Sequence, residues 1–305
     1  MRLVYMGTPD IARVCLQRLY ERGFDIAAVY TKPDTPKNRG MKLAQSPVKE
    51  YACSVGLPVI QPQSFREDAV YEELLALAPD LIVVVAYGKI LPQRILDIPR
   101  YGCINMHASI LPTLRGAGPV QWSILNHCDE TGVTAMYLSA GMDEGDILEI
   151  RRTPIEPMET SEELMARLAE IAAELSCDTV RAIENGTAVR TPQCSAEATY
   201  APMLSKALSP IDWTQCPRYI IDQVRGLIPW PVATAELGGR RFKIFRVEPT
   251  DTMTDKAPGA LVALDKKGLM VACGGGAVVR IAELQAEGGK RMRAADYFRG
   301  HPIEI

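Results

Sequence analysis

The sequence predicts an α/β protein: a doubly wound, mostly parallel sheet followed by a small β-rich domain. Three observations carry this. Residues 3–30 read as strand, helix and strand, residues 81–87 (LIVVVAY) form an unbroken apolar run, and beyond Trp213 the pattern turns to short β-rich pieces separated by glycines. Strand–helix–strand order marks a parallel, right-handed crossover unit. An apolar run of strand length fits a strand covered on both faces. Short strands between glycines suit a small β-barrel or an open sheet.

Taken in order, residues 3–6 (LVYM) read as a buried strand and GTPD as a turn. Residues 11–22 follow as a helix that keeps Ile11, Val14 and Leu19 on one face. A strand at 26–30, a helix at 48–55, a short strand at 58–61 and a helix at 68–78 lead to the central strand at 81–87. A strand at 103–106, a helix at 120–126 and an extended pair at 132–138 and 146–155 complete the sheet. Thr160, Ser161, Glu162 and Glu163 spell a capping box, in which hydroxyl and carboxylate each accept a backbone N–H of the other. The amphipathic helix it opens runs to 184 and stops at Asn185-Gly186. Residues 187–210 have little periodicity and three prolines, the character of a connector. After it come a short helix at 217–226 and strands at 234–237, 242–247, 259–264, 269–272 and 277–284. The expected division is 1–187, a linker at 188–206, and 207–305.

Composition narrows the function. With 47% apolar and 23% charged residues the chain has the make-up of a soluble globular protein. No basic leader precedes Leu3 and no run nears the ~18 apolar residues of a membrane span, so a cytoplasmic protein without membrane contact is expected. The eight cysteines are scattered with no CxxC pair, and histidine occurs only at 107, 127 and 301, so reduced thiols and no metal are expected. Gly7 follows a strand, yet GTPDIA lacks the further glycines of a dinucleotide loop, and no Walker lysine motif occurs. The net charge of −3 hides an asymmetry: residues 204–305 carry 15 Lys and Arg against 11 Asp and Glu, leaving the remainder acidic.

The segment NMHASILP, residues 105–112, sits where a buried parallel strand ends and a loop begins. Ligand sites of open α/β sheets lie outside the carboxyl ends of strands. Strand alternation puts Asn105 and His107 on one face, so an amide donor and an imidazole meet in one crevice. Acyl transfer needs such a pair, a donor for the oxyanion and a base for the attacking amine. Asp143, in the glycine-flanked GMDEGD, is a third candidate, carried on a loop able to fold back over the site.

NMHASILP, the following RGAGPVQW at 115–122 and the later MDEGD together resemble the catalytic segment of the folate-dependent formyltransferases. The resemblance implies a Rossmann-like catalytic domain, an OB-like C-terminal barrel and 10-formyltetrahydrofolate as the one-carbon donor. It implies that Asn105 and His107 polarise the formyl group and assist proton transfer, while Asp143 orients the histidine and moves protons through water. Ser109, Ile110, Leu111 and Pro112 correspond to the folate-binding loop; Ile110-Leu111 replaces the usual leucine pair with little change of volume. Tyr87, Ile90 and Leu91, in YGKIL, correspond to the segment lining the pterin pocket, where backbone groups do most of the recognition.

MGTPDIA, the stretch TKPDTPKNRGMKLAQSPVK at 31–49, IDW at 211–213 and PWP around Trp230 resemble the branch of the family that formylates methionine on initiator tRNA. A formyltransferase acting on an amino-sugar nucleotide, or a tRNA-binding protein with a vestigial formyl site, are the alternatives. The stretch 31–49 carries Lys32, Lys37, Arg39, Lys42 and Lys49 among glycine and proline, a basic arm suited to phosphates. The resemblance implies that the arm meets the acceptor stem, with Arg39 its key arginine, and that the basic C-terminal domain contacts the tRNA. Lys42 and Lys206 are further candidate contacts, and initiator methionyl-tRNA is the expected partner of a monomeric enzyme.

Overall fold

The computed structural model describes residues 1–37 and 42–305, with side chains described outside 36–42. Two compact units emerge: one comprises residues 1–119, 131–153 and 165–201, the other residues 120–130, 154–164 and 202–305.

The first unit is built on β1 (Arg2–Gly7), α1 (Asp10–Glu21), β2 (Asp25–Tyr30), the hairpin β3 (Thr35–Lys37) and β4 (Lys42–Ala44), α2 (Pro47–Ser54) and β5 (Val59–Ile60). There follow α3 (Asp68–Ala76), β6 (Leu81–Val85), α4 (Gln93–Leu96), β7 (Cys103–His107) and β8 (Arg115–Gly116), then α5 (Pro119–Leu125), which past Pro119 belongs to the second unit, and back in the first β9 (Glu130–Tyr137) and β10 (Ile147–Pro154). Seven strands form one sheet in the order β10-β9-β7-β6-β1-β2-β5. From β7 to β5 neighbouring strands are parallel, and β9 runs antiparallel to β7. The mostly parallel, doubly wound sheet is borne out. All five residues of β6 are buried, as a strand between β1 and β7 requires.

Helix α1 buries Ile11, Ala12, Cys15, Leu16 and Leu19 against the sheet. Val14, expected on that face, is only half-buried, because the stripe advances by four and Cys15 takes its place. Gly7 is accounted for by packing: a Cβ there would lie 2.6 Å from that of Ala12, so only glycine lets the helix start so close to the strand. Chain order reverses beside β1, where Gly7 pairs with Val85, so a crevice opens at the carboxyl ends of β1 and β6.

Helix α6 (Ser161–Glu184) begins with the expected capping box. Glu163 accepts from the Thr160 backbone N–H and hydroxyl, each at 2.8 Å, and the Glu163 N–H donates to Thr160 Oγ1 at 3.3 Å. The stretch from 187 to 210 holds the short β11 (Tyr200–Ala201) and two single-turn helical pieces, Ser195–Glu197 and Lys206–Leu208. Strand β11 pairs in parallel with β8.

The second unit carries α7 (Pro217–Gly226), β12 (Ala233–Leu237), β13 (Arg240–Met253), β14 (Leu261–Leu264), β15 (Leu269–Ala272), β16 (Ala277–Ala286), β17 (Met292–Arg293) and α8 (Ala294–Gly300). Its antiparallel sheet runs β12-β13-β16-β15-β14, with β17 on β16. Register shifts after Ile244, Arg246 and Pro249 let the long β13 bend from β12 along β16, the device that curls a sheet into a small barrel. Phe242, Ile244, Leu269, Ile281, Leu284 and Phe298 share its core, in line with the expected barrel class. Strand β13 outruns the expected 242–247 because residues 248–253 (EPTDTM) extend the pairing along β16 with half-buried or exposed side chains, without an apolar alternation to announce them.

One polar cluster is buried in this unit. Asp222, 3% exposed, meets His127 Nδ1 and Arg225 Nε, each at 2.7 Å. Arg225 Nη1 donates onward to the carbonyls of Glu156 (3.0 Å) and Glu159 (2.8 Å), and Arg218 Nη2 to the carbonyl of His127 (2.7 Å).

Candidate active site

Strand β7 sets two of the candidate side chains. Buried Cys103, Ile104 and Met106 anchor it between β6 and β9. Asn105 lies opposite Val84 on one side and Met136 on the other, and His107 opposite Thr134. Pleating sends Asn105 and His107 to the same face. The Asn105 side chain has no hydrogen-bond partner among the described residues and is half-buried, free to meet a ligand.

His107 is 6% exposed, and its Nε2 lies 2.9 Å from the carbonyl oxygen of Leu114. A carbonyl only accepts, so Nε2 carries the hydrogen in the neutral ring and Nδ1 keeps the basic lone pair. Asp143 Oδ2 stands 3.7 Å from Nδ1 and accepts the Gly116 backbone N–H at 2.9 Å. The gap from Nδ1 exceeds a hydrogen bond but leaves the two groups in electrostatic reach. Asp143 has φ +50°, a left-handed conformation that Asp tolerates better than most residues. The carboxylate thus faces the nitrogen on which positive charge develops as the ring takes a proton.

The loop after His107 is stitched from within. The Ser109 N–H donates to the His107 carbonyl at 2.9 Å and the Ser109 hydroxyl to the Thr113 carbonyl at 2.7 Å. Thr134 Oγ1 donates to the Ser109 carbonyl at 2.6 Å and accepts the Leu111 N–H at 3.1 Å. Ser109 and Leu111 are buried, so their side chains hold the loop, while half-buried Ile110 and Pro112 look outward. In the neighbouring segment the Tyr87 ring packs edge-on against Phe65 in the core, and burial pushes its hydroxyl well above the usual tyrosine range. Its carbonyl accepts the Thr8 hydroxyl at 3.0 Å. Leu91 packs on the same core, whereas Ile90 is 91% exposed. The segment therefore offers a ligand its backbone and Ile90, and keeps its aromatic ring inside.

Of the basic arm, Arg39 lies outside the described residues, and for Lys42 only the backbone, in β4, is described. Lys49 is not a free cation: its Nζ donates to Asp34 Oδ2 at 2.7 Å and Gln61 Oε1 at 2.8 Å. Hydrogen bonds from Lys49 and then Gln61 hold the Asp34 carboxyl below its usual range. Lys206 is exposed in the second unit. Among the described residues no three of His, Cys, Asp and Glu gather as metal ligands, and no helix is long and apolar enough to cross a membrane.

Sequence reasoning missed the groups that hold this constellation: the Leu114 carbonyl and the Gly116 amide because backbone groups leave no residue-type signal, and the Thr134 hydroxyl because it meets the loop of Ser109 and Leu111 only through strand pairing. One trace was legible in RGAGP. Gly116 has φ +109°, and a Cβ there would meet the Ala201 carbonyl at 2.8 Å, so the residue must be glycine for β11 to pair and for its amide to reach Asp143.

Comparison with known proteins joins these pieces. Residues 1–180 match the family described as Formyl transferase, and residues 203–302 match Formyl transferase, C-terminal domain. The chain belongs to the formyl transferase family. Within the family it is 47% identical over 303 residues to a methionyl-tRNA formyltransferase of Geotalea uraniireducens (strain Rf4), covering 99% of this chain and 96% of that relative. An N-formyltransferase from Helicobacter canadensis, solved with folinic acid and dTDP-3-aminofucose, superposes with a TM-score of 0.71 at 19% identity, over 92% of this chain and 98% of that one. HypX from Aquifex aeolicus, in complex with tetrahydrofolic acid, gives 0.68 at 18% identity over 99% of this chain, which spans about half of HypX, 48% of its length. At these identities the two structures speak for the formyltransferase fold alone.

Proposed function

We propose that the protein transfers the formyl group of 10-formyltetrahydrofolate to the amino group of methionyl initiator tRNA, giving N-formylmethionyl-tRNA for translation initiation. The observation that carries this is the 47% identity to a methionyl-tRNA formyltransferase across 99% of the chain, through the C-terminal domain as well as the catalytic one. That breadth favours a tRNA acceptor over an amino-sugar nucleotide. We assign residues 1–187 to catalysis, 188–206 to the linker and 207–305 to tRNA binding, in a monomer working in the cytoplasm.

In the reaction the methionine amine attacks the formyl carbon, a C–N bond forms, and negative charge collects on the formyl oxygen. On collapse the bond to the folate nitrogen breaks. The amine loses one proton and the leaving nitrogen gains one. Asn105, with its amide free, is the oxyanion donor, and one such donor is typically worth about 10² to 10³ in rate. His107 polarises the formyl group and relays the proton through Nδ1, and Asp143 orients it and passes protons by way of water. Ser109, Ile110, Leu111 and Pro112, with Tyr87, Ile90 and Leu91, hold the folate, largely through backbone groups. Arg39, Lys42 and Lys206 are the proposed tRNA contacts.

The test is transfer of labelled formyl from 10-formyltetrahydrofolate to three acceptors: charged initiator tRNA, charged elongator tRNA and a dTDP-linked amino sugar. Label on methionyl initiator tRNA is the expected result. Label on the sugar nucleotide alone, or none on any acceptor, overturns it.

A further inference from the structure

Arg115 carries a buried cation whose partner is not an anion. The residue is 2% exposed, and its Nε and Nη2 donate to one acceptor, Gln193 Oε1, at 3.1 and 2.8 Å. A guanidinium can only donate, so the Gln193 amide is locked with its oxygen toward Arg115 and its nitrogen away from it. That nitrogen donates both hydrogens, to the carbonyls of Asp143 at 2.9 Å and Gly145 at 2.8 Å. A single side-chain amide therefore pins the loop on and beyond the candidate catalytic carboxylate.

The chain is set up to deliver this amide. Thr191 and Ile147 exchange both backbone hydrogen bonds, at 2.8 and 2.9 Å, which fixes the register two residues before Gln193. Further on, Thr199 Oγ1 accepts the Leu114 N–H at 2.9 Å and the Thr199 carbonyl accepts the Arg115 N–H at 2.9 Å. The stretch 191–201 thus ties the loop of Asp143 to the turn whose Leu114 carbonyl holds His107. Asp143 sits at φ +50°, which Asp adopts more readily than most residues, and the two Gln193 hydrogen bonds flank it on its own carbonyl and on that of Gly145.

We propose that Gln193 is a positioning residue of the catalytic site: its amide, oriented by Arg115, holds the Asp143 loop so that the carboxylate faces His107. The inference rests on Asp143 and His107 being the catalytic pair. A merely structural clamp would affect folding alone, whereas this one sets the distance from Asp143 Oδ2 to His107 Nδ1, 3.7 Å here.

Gln193→Glu is the discriminating variant. It gives Arg115 a carboxylate, so the buried cation stays satisfied, but it replaces the donor facing two carbonyls by an acceptor. Misplacing a catalytic group by about 1 Å costs on the order of 10²-fold. The expected result is a kcat lowered by about 30- to 100-fold, with KM for 10-formyltetrahydrofolate and for tRNA within about threefold of the parent. A second readout needs no activity: with three histidines in the chain, the His107 ring signals can be assigned by NMR through their loss in His107→Asn. In Gln193→Glu their chemical shifts, at one fixed pH, should leave the parent positions for those of Asp143→Asn. Parent-like ring signals overturn the proposal, whether kcat falls or not. Should Gln193→Glu melt early, the double variant Arg115→Met with Gln193→Met, which removes the buried cation together with its acceptor, is judged by the same ring signals. If the parent fails to formylate methionyl-tRNA, the acceptor assignment falls, and the ring signals still decide the role of Gln193.

Discussion

Replacing Asp143 by Asn separates its charge from its place in the loop. Asn keeps a side-chain oxygen for the Gly116 N–H, the bond that measures 2.9 Å, so the loop should stay put and stability should change by no more than about 1 kcal/mol. What is lost is the negative charge 3.7 Å from His107 Nδ1. At that separation opposite unit charges attract by about 1 kcal/mol in bulk water and about 4 kcal/mol at an effective dielectric of 20. With side chains 6% and 17% exposed, the pair belongs nearer the second figure, so about 3 to 4 kcal/mol should be missing from the transition state. That is about 10² to 10³ in kcat. Single-turnover transfer of labelled formyl to methionyl-tRNA reads this directly, with a thermal melt alongside. A rate within tenfold of the parent at unchanged stability would refute the electrostatic argument.

Asn105→Ala should slow transfer by about 10² to 10³ with little change in melting, since the Asn105 side chain has no partner among the described residues; a lower melting point with normal turnover would make it structural. Thr160→Ala should cost about 1 kcal/mol in chemical denaturation by removing the cap of α6; no loss would mean the box contributes nothing. Hydrogen bonds from the Thr160 backbone N–H and then its hydroxyl hold the Glu163 carboxyl below its usual range. A lowered folded-state pKa gives stability that is present above the unfolded value of about 4.3 and is lost as pH falls through the folded one. Glu163→Gln should therefore lose less stability than the parent below about pH 4, and parallel acid curves would contradict this. Burial pushes the Cys103 thiol up to about 12 and Cys15 higher still, while Cys53, Cys194 and Cys216 are exposed. At pH 8 a thiol reagent should label the exposed three quickly and reach Cys15 and Cys103 only on unfolding, as peptide mapping would show.

How far the sequence could be read depended on the range of the interactions. Asn105 and His107 were legible because two residues on one strand end share a face without help from the rest of the chain. The uninterrupted 81–87 run announced β6 for the same local reason. Short α8 was not foreseen: Ala294, Ala295 and Phe298 give it a buried face too brief to show a period. Lys49 read as part of a basic arm because Asp34 and Gln61, which engage it, come together with it only through the fold. Gln193 was invisible as a site residue, since its partners lie 50 and 78 positions away and an amide in an irregular stretch looks like any polar surface residue.

The cluster around Asp222 bears on whether the barrel can be cut free. The family's C-terminal domain matches from residue 203, and a fragment starting there would look self-contained on paper. It would lack His127, which caps one oxygen of a carboxylate 3% exposed, and the Glu156 and Glu159 carbonyls that receive Arg225. Asp222 and Arg225 would keep each other but lose these three hydrogen bonds to charged groups, each worth about 1.5 to 3 kcal/mol, together a large share of the stability of any domain. Autonomy therefore does not follow the family boundary. Residues 120–130 and 154–164 are to the barrel what a missing strand is to an incomplete sheet, and supplying them as separate peptides is the way to restore a split chain.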